Sequence, residues 1–328
     1  MNLRWHLNLS LTKTAIWLLK LTGWYQGYWN HWRTMFAYAE RKGLHIMPTH
    51  YYSPVPDTGD LPESLWHDLR MPIGFSLRTD AALTWLGRLS QNYEKEYSVF
   101  PREAGPDAHA FFLDNDAFKS GDAEILYALL RDLKPRRIVE IGSGYSTLLI
   151  AQAIRANQKE TSEYRCEFVA IEPYPPPFLH PSPAEVTRLE STPIQGFDYS
   201  LFLSLQKNDV LFIDSSHTVR TGGDVVHEYL AILPILAPGV VVHIHDIFIP
   251  AEYPRSWIAE ERIFWNEQYL LEAFLTFNHE FEVIMPVHAV WRLHSESFSK
   301  AIPSFKTWLN GPSSFWIRRK HLADGGSQ

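Results

Sequence analysis

Four strand-like segments in the second half of the chain each end in polar residues that could do chemistry. These residues are Glu140 with Gly142 and Gly144 just after it, Glu172, Asp214, and the pair His245-Asp246. A single acid at a strand end is usually a helix cap or a loop hydrogen bond. Ligands of an open α/β sheet, however, bind at the carboxyl ends of its strands, so four such ends together predict one site.

The turn Gly142-Ser143-Gly144 lies between a predicted strand and a predicted helix, where a ligand can approach the backbone closely. A dinucleotide fingerprint would need a third glycine at Thr147, and the carboxylate of Glu140 would repel a pyrophosphate. Glu172 can accept hydrogen bonds from both hydroxyls of a ribose. These features favour a nucleoside without a phosphate, and S-adenosylmethionine fits that description.

The run Val139-Glu140-Ile141-Gly142-Ser143-Gly144-Tyr145-Ser146-Thr147 resembles motif I of class I S-adenosylmethionine-dependent methyltransferases. The run 211–217, with Pro238-Gly239, His245-Asp246 and 311–316, is similar to a subgroup of small-molecule and sugar O-methyltransferases. The resemblance covers about residues 110–320, and it departs from the family at Ser146, where many members have a third glycine. It implies a set of cofactor-binding residues: Glu140, Gly142, Ser143, Gly144, Ser146, Glu172 and Asp214.

The resemblance also implies a divalent-cation site. In catechol-type and macrolide sugar O-methyltransferases the equivalent strand ends hold such an ion, which makes Asp214 and Asp246 candidate ligands. His245 departs from that set, and an imidazole beside two carboxylates suits a transition metal better than magnesium. In the metal-free alternative, Asp214 positions the amino group of the cofactor and Asp246 caps the following segment. Both alternatives stay open.

Two histidines are candidate general bases, because imidazole titrates near neutral pH and can take a hydroxyl proton. They are His217 and His245, whereas we expect His243 to be packed in the core. The favoured activity is methylation, most simply O-methylation, of a small-molecule or sugar-like acceptor. The rival is a metal-dependent oxidoreductase or hydrolase that uses Asp214, His245 and Asp246 on the same fold. A non-catalytic binding protein is a third hypothesis.

The segments that must position these residues alternate between apolar strands and helices from Arg136 onward. This pattern predicts an α/β protein with a parallel sheet covered on both faces. With the resemblance, we expect a Rossmann-like methyltransferase fold with a mostly parallel seven-stranded sheet and an N-terminal helical extension. The predicted domains are an extension or cap over 1–110, a methyltransferase domain over 111–320 and a flexible tail over 321–328.

The first 42 residues contain six Lys or Arg residues, a single acid and five of the twelve tryptophans. Aromatic residues recur at helical spacing over 25–39, and Gly43 is a natural end for that helix. The helix is expected to pack on the main domain. The alternative is a helix that contacts a membrane surface or a lipid-linked substrate, since basic and aromatic residues suit lipid headgroups.

The composition argues against several further classes of protein. The formal net charge of −7 argues against a general nucleic-acid binder. The single cysteine, Cys166, excludes an internal disulfide and a thiolate metal cluster, and we expect an inert thiol. The longest apolar stretch near the start is far too short to span a bilayer, so the expected location is the cytoplasm.

Overall fold

The computed structural model describes residues 3–21, 30–47, 49, 51–306, 308 and 310–320. The chain forms two compact units, Met1–Pro62 and Glu63–Gln328. Residues 63–110 therefore belong to the second unit by their contacts, and the boundary expected after residue 110 stays a prediction. The predicted tail over 321–328 lies outside the described residues.

The first unit contains two helices, α1 (Leu3–Leu21) and α2 (Asn30–Glu40). Gly43 follows α2 with a φ of +77°, as its predicted role at the end of this helix requires. The start of the predicted aromatic face, with Tyr25, Tyr28 and Trp29, lies outside the described residues. In the part of the chain that the structure describes, no helix is long and apolar enough to cross a membrane.

The second unit is built on a seven-stranded sheet with the order β3-β2-β1-β4-β5-β7-β6. The strands are β1 (Arg137–Ile141), β2 (Glu167–Ile171), β3 (Arg188–Glu190), β4 (Val210–Ile213), β5 (Val241–Ile244), β6 (Phe281–Pro286) and β7 (Phe315–Arg319). Only β7 runs antiparallel to its neighbours. The predicted Rossmann-like fold with a mostly parallel sheet is confirmed.

In the described part of the second unit, nine α-helices accompany the sheet. They are α3 (Ser64–His67), α4 (Thr79–Tyr97), α5 (Asp122–Leu133), α6 (Tyr145–Glu160), α7 (Ser200–Leu203), α8 (Asp224–His227), α9 (Glu267–Leu275), α10 (Val287–Leu293) and α11 (Ser295–Ala301). Alternate strand residues belong to two apolar cores. Ile138 packs in the core that includes α4, α5 and α6, whereas Val139 packs in the core that includes α9.

The register brings the predicted strand ends to one edge of the sheet, which we call the carboxyl edge. Ile141 pairs with Ile171 of β2 and with Ile213 of β4, and Ile213 pairs with Ile244 of β5. Residues 142, 172, 214 and 245 therefore follow side by side. The strand order reverses between β1 and β4, which is where a ligand crevice forms in such sheets.

Candidate functional site

The turn after β1 is shaped by Gly142, which has a φ of +86°. Its N–H donates to the carbonyl of Ile171 at 2.9 Å, and the N–H of Asp214 donates to the carbonyl of Ile141 at 2.8 Å. A Cβ on Gly142 would lie 1.8 Å from the carbonyl oxygen of Asp214. Only glycine fits here, because both the positive φ and the close backbone contact exclude a side chain.

Glu140 is fully buried beneath the first turn of α6. The hydroxyls of Ser146 and Thr147 each donate to one of its carboxylate oxygens at 2.7 Å, and the N–H of Gly144 donates to Thr147 Oγ1. Burial raises the pKa of Glu140 to about 8, although the two hydroxyl donors oppose this rise. In the structure Glu140 and Ser146 hold the glycine turn from inside, and their contact with a cofactor stays a prediction.

Glu172 lies half-buried at the end of β2, beside the same turn. Its carboxylate accepts the N–H of Tyr174 at 2.8 Å and that of Ser143 at 3.3 Å, which leaves lone pairs for further donors. The Ser143 hydroxyl is buried without a hydrogen-bond partner among the described residues. A Cβ on Gly144 would meet no atom within 4 Å. The turn therefore offers space, an orphaned hydroxyl and an acceptor, as a nucleoside with a ribose diol requires.

The ends of β4 and β5 and the start of α9 together form an acid–histidine cluster. Its members are Asp214, His217, His245, Asp246 and Glu267. The Nε2 atom of His217 lies 3.2 Å from Asp214 Oδ1 and 3.7 Å from Asp246 Oδ2. Its Nδ1 atom lies 3.0 Å from Glu267 Oε2. One buried imidazole is thus surrounded by three carboxylates.

Within the described residues, one group of three side chains has the geometry to hold a metal ion: Asp214, His217 and Asp246, whose ligand atoms lie within 4.8 Å of one another. The metal-binding set predicted from the sequence contained His245, whereas the group found in the structure contains His217 in its place. The difference arises because His217, with a φ of +55°, turns back toward Asp214, whereas His245 Nε2 approaches only Asp246, at 3.7 Å. Metal binding itself stays a prediction.

The charges of the cluster shift the pKa values of its members. Burial alone would raise the pKa of Asp214, but His245 and His217 lower it to about 2. Burial would lower the pKa of His217, yet Asp214 and Glu267 raise it well above its ordinary value. Asp246 and Asp214 likewise raise the pKa of His245 against its burial. The cluster therefore stabilises positive charge, whether on imidazole or on a bound cation.

Glu267, at the start of α9, was not predicted from the sequence. Its N–H and that of Asn266 donate to the carbonyl of His217, and Asn266 Oδ1 accepts the N–H of Val219. The Glu267 side chain is fully buried, and its Oε1 atom has no partner among the described residues. We call these contacts the α9 clasp. No motif in the sequence pointed to this residue.

Two tryptophans stand beside the acid–histidine cluster. The ring centroid of Trp265 lies 4.3 Å from that of His217, and Trp257 lies 5.0 Å from Trp265 in an edge-on arrangement. Trp257 lies in a π-helical turn, Ser256–Glu261. Tyr253, just before this turn, is buried, and its hydroxyl accepts the N–H of Gln268. Trp265 and Trp257 thus supply an aromatic wall next to His217.

Two predictions about inert residues are confirmed. His243 is fully buried, its Nε2 atom lies 2.9 Å from Ser314 Oγ, and burial holds its pKa well below the ordinary value. Burial also raises the pKa of the Cys166 thiol to about 12, which keeps it protonated and unreactive.

Comparison with known proteins identifies the family of this region. Residues 139–247 match a family model described as a methyltransferase domain. An uncharacterized protein of Archaeoglobus fulgidus is 28% identical over 189 residues, which cover 53% of this chain and 81% of that protein. Among solved structures, the CmcI N160 apo form is 15% identical with a TM-score of 0.35, and the match covers 86% of this chain and 94% of that one.

A Plasmodium falciparum structure, described as a protein-L-isoaspartate O-methyltransferase with S-adenosyl-L-homocysteine, is 11% identical with a TM-score of 0.27. That match covers 49% of this chain and 83% of that one. The segment 139–247 of the family match begins in motif I and ends just after Asp246. It confirms the resemblance: the chain carries a class I S-adenosylmethionine-dependent methyltransferase domain.

Proposed function

We propose that this methyltransferase transfers the methyl group of S-adenosylmethionine to an oxygen of a small-molecule acceptor. The observation that carries the proposal is the cluster of three carboxylates around His217 at the ends of β4 and β5. It lies directly beside the glycine turn, because Asp214 hydrogen-bonds the end of β1. The two ends of a methyl-transfer site are then adjacent.

On the cofactor side, Glu172 would bind the ribose hydroxyls, and the backbone of residues 142–144 would lie against the nucleoside. Glu140 and Ser146 position this turn from below through their mutual hydrogen bond. When bound, the cofactor supplies an electrophilic methyl group on a sulfonium. What the chain itself must do is orient the acceptor in line with that methyl group and remove the acceptor's proton.

On the acceptor side, the two histidines take different roles. Both nitrogens of His217 face carboxylates, so His217 with Asp214 and Asp246 would hold a divalent cation that polarises the acceptor oxygen. His245 Nδ1 is buried and has no hydrogen-bond partner in the described part of the chain. We therefore assign His245 as the general base in the metal-free alternative.

The aromatic wall of Trp257 and Trp265 suits a flat ring or a sugar face, since either can lie against an indole. We accordingly favour an aromatic alcohol or a sugar-like acceptor. Contact of residues 1–42 with a membrane or a lipid-linked acceptor, and the cytoplasmic location, stay predictions.

The first experiment is calorimetric titration with S-adenosylhomocysteine, and a failure to bind at high micromolar concentration would refute the cofactor assignment. The second measures S-adenosylhomocysteine formation with a panel of hydroxyl-bearing acceptors, before and after chelator treatment. Activity that is lost to chelator and restored by Mn²⁺ supports the cation, whereas indifference to chelator supports a base.

The variants His217→Ala and His245→Ala separate the two roles, with the exposed His279→Ala as the matched control. Loss of base or metal assistance slows methyl transfer by about 10²- to 10⁴-fold while cofactor affinity stays nearly unchanged. If both variants keep full activity, the acceptor lies elsewhere. Stoichiometric iron without any cofactor binding would favour the oxidoreductase rival.

A further inference from the structure

Two cavities adjoin each other at the edge of the sheet opposite to the carboxyl edge. We treat them together and call them the basic cavity. Their volumes are about 340 and 380 Å³, and they share Asn208, Glu282 and Arg318. Asn208 precedes β4, and Arg318 lies near the end of the antiparallel strand β7. The basic cavity is therefore separated from the methyl-transfer site by the length of the strands.

The lining of the basic cavity carries six cations and two acids. The cations are Arg78, Arg88, Lys207, Arg318, Arg319 and Lys320, and the acids are Asp132 and Glu282. Both acids already have partners. Glu282 forms a short ion pair with Arg78, and Asp132 accepts the indole N–H of Trp85 at 3.1 Å and lies 3.7 Å from Arg88. The lining thus has an excess of positive charge.

Arg318 is the one cation of this set that lines both cavities. It pairs with Glu282 across β6 and β7 in the sheet register, but Glu282 is drawn to Arg78. The guanidinium lies 5.8 Å from the ring centroid of Trp85, and its Nε atom is buried. In the described part of the chain, Arg318 has no side-chain hydrogen bond and no ion pair.

A guanidinium in this situation is costly for the protein. Burial lowers the pKa of Arg318, and the neighbouring Arg78 lowers it further, although Glu282 opposes them. Arginine nevertheless keeps its charge, and the buried Nε–H of Arg318 lacks the acceptor that a buried donor normally has. An anion in the cavity would satisfy them.

We propose that the basic cavity binds a small molecule that carries a phosphate monoester. The planar fork of Arg318 matches two phosphate oxygens, and a dianion balances the excess charge of the lining better than a carboxylate does. A cavity of this size holds a small metabolite rather than a bare ion. The face of Trp85 adds a surface for the organic part of the ligand.

The test is calorimetric titration of the full chain with phenyl phosphate and with inorganic phosphate, at constant ionic strength set by NaCl. Phenol serves as the neutral probe. We expect phenyl phosphate to bind and phenol not to bind. Binding of neither phosphate compound, or equal binding of phenol, would overturn the proposal.

The variants Arg318→Gln and Arg88→Gln should each weaken phenyl phosphate binding by about tenfold or more, because each removes a charge-assisted donor. Arg165→Gln is the matched control, since Arg165 is exposed just before β2 and donates only to nearby carbonyls. Equal losses in all three variants would show unspecific attraction and refute the site.

Arg88→Gln also guards against misfolding of the Arg318 variant, because the Arg88 side chain is 62% exposed. Cofactor affinity should stay unchanged in every variant, since the basic cavity lies at the other edge of the sheet. If phenyl phosphate binding survives in both Arg318→Gln and Arg88→Gln, the ligand lies elsewhere and the proposal fails.

Discussion

Two regions at the carboxyl edge bury carboxylates in opposite ways. Beneath the glycine turn, both oxygens of Glu140 accept hydroxyl donors. In the acid–histidine cluster, Glu267 Oε1 and His245 Nδ1 are buried without a partner among the described residues. Since buried polar groups are normally satisfied, the first arrangement builds the fold and the second leaves capacity for a ligand. Burial of an acid therefore does not by itself distinguish a structural role from a chemical one.

The two regions also differ in how far apart along the chain their interacting residues lie. The partners of Glu140 lie six and seven residues after it, within one strand–turn–helix unit. Glu267, the partner of His217, lies fifty residues after it. The contacts of Glu140 form as that unit folds, whereas the contact between His217 and Glu267 depends on how α9 packs on the sheet.

The largest expected effect concerns the glycine turn after β1. Gly142→Ala should lower the free energy of unfolding by roughly 3–5 kcal/mol, because the new Cβ clashes with the Asp214 carbonyl and the positive φ disfavours alanine. Urea denaturation measures this change. Gly144→Ala is the control and should leave stability nearly unchanged, since a Cβ there meets open space. Equal stability of both variants would contradict the described turn.

The second effect concerns the ribose. Glu172→Ala removes hydrogen bonds from a charged acceptor, which is worth about 1.5–3 kcal/mol, so S-adenosylhomocysteine affinity should fall roughly 10- to 150-fold. Glu190→Ala, at the end of the neighbouring strand β3, is the matched control and should bind normally. An unchanged affinity for Glu172→Ala would show that β2 does not end at the cofactor.

The third effect tests the acid–histidine cluster through Glu267, which positions His217. Glu267→Gln should lower kcat about tenfold with little change in KM, because His217 loses a carboxylate partner. Glu124→Gln is the control, since Glu124 is also buried but accepts from Ser120, Gly121 and Ser304, away from His217. A matching loss in the two variants would mean that general packing, and not the contact with His217, explains the effect.

The smallest expected effect on cofactor affinity concerns Glu140, although its protonation affects stability. Its folded-state pKa of about 8 lies above the ordinary 4.5, so between these pH values the folded chain holds a proton that the unfolded chain releases. Stability from this group is therefore present below pH 4.5 and is lost as the pH rises toward 8.

Glu140→Gln removes this titration, so its stability relative to the parent chain should rise over the same pH window in urea denaturation. Its S-adenosylhomocysteine affinity should change less than about threefold. A larger loss of affinity would place the Glu140 carboxylate in contact with the cofactor.

The fold was largely predictable because apolar runs mark β1, β2, β4 and β5 as buried strands. The strand β3 was not predicted from the sequence, because its three residues have exposed or half-buried side chains and show no hydrophobic periodicity. The direction of β7 could not be predicted either, since its apolar pattern fits a parallel or an antiparallel neighbour equally well.

The candidate site was predictable where it depends on strand ends, because parallel register forces residues 142, 172, 214 and 245 together. The site was not predictable where the conformation of a loop determines which side chains come together. The backbone turn at His217 and the partner Glu267 arise from tertiary packing, so the sequence placed His245 in the metal group instead.

The α9 clasp fixes the backbone around His217 before any acceptor arrives. Three hydrogen bonds, from Asn266 and Glu267 to the His217 carbonyl and from Val219 to Asn266, hold that loop against the start of a helix. Ordering of this segment is therefore completed during folding, and acceptor binding loses little conformational entropy there. If the proposed acceptor binds beside Trp257 and Trp265, it would meet a surface whose shape exists before binding, which favours molecules that already match it.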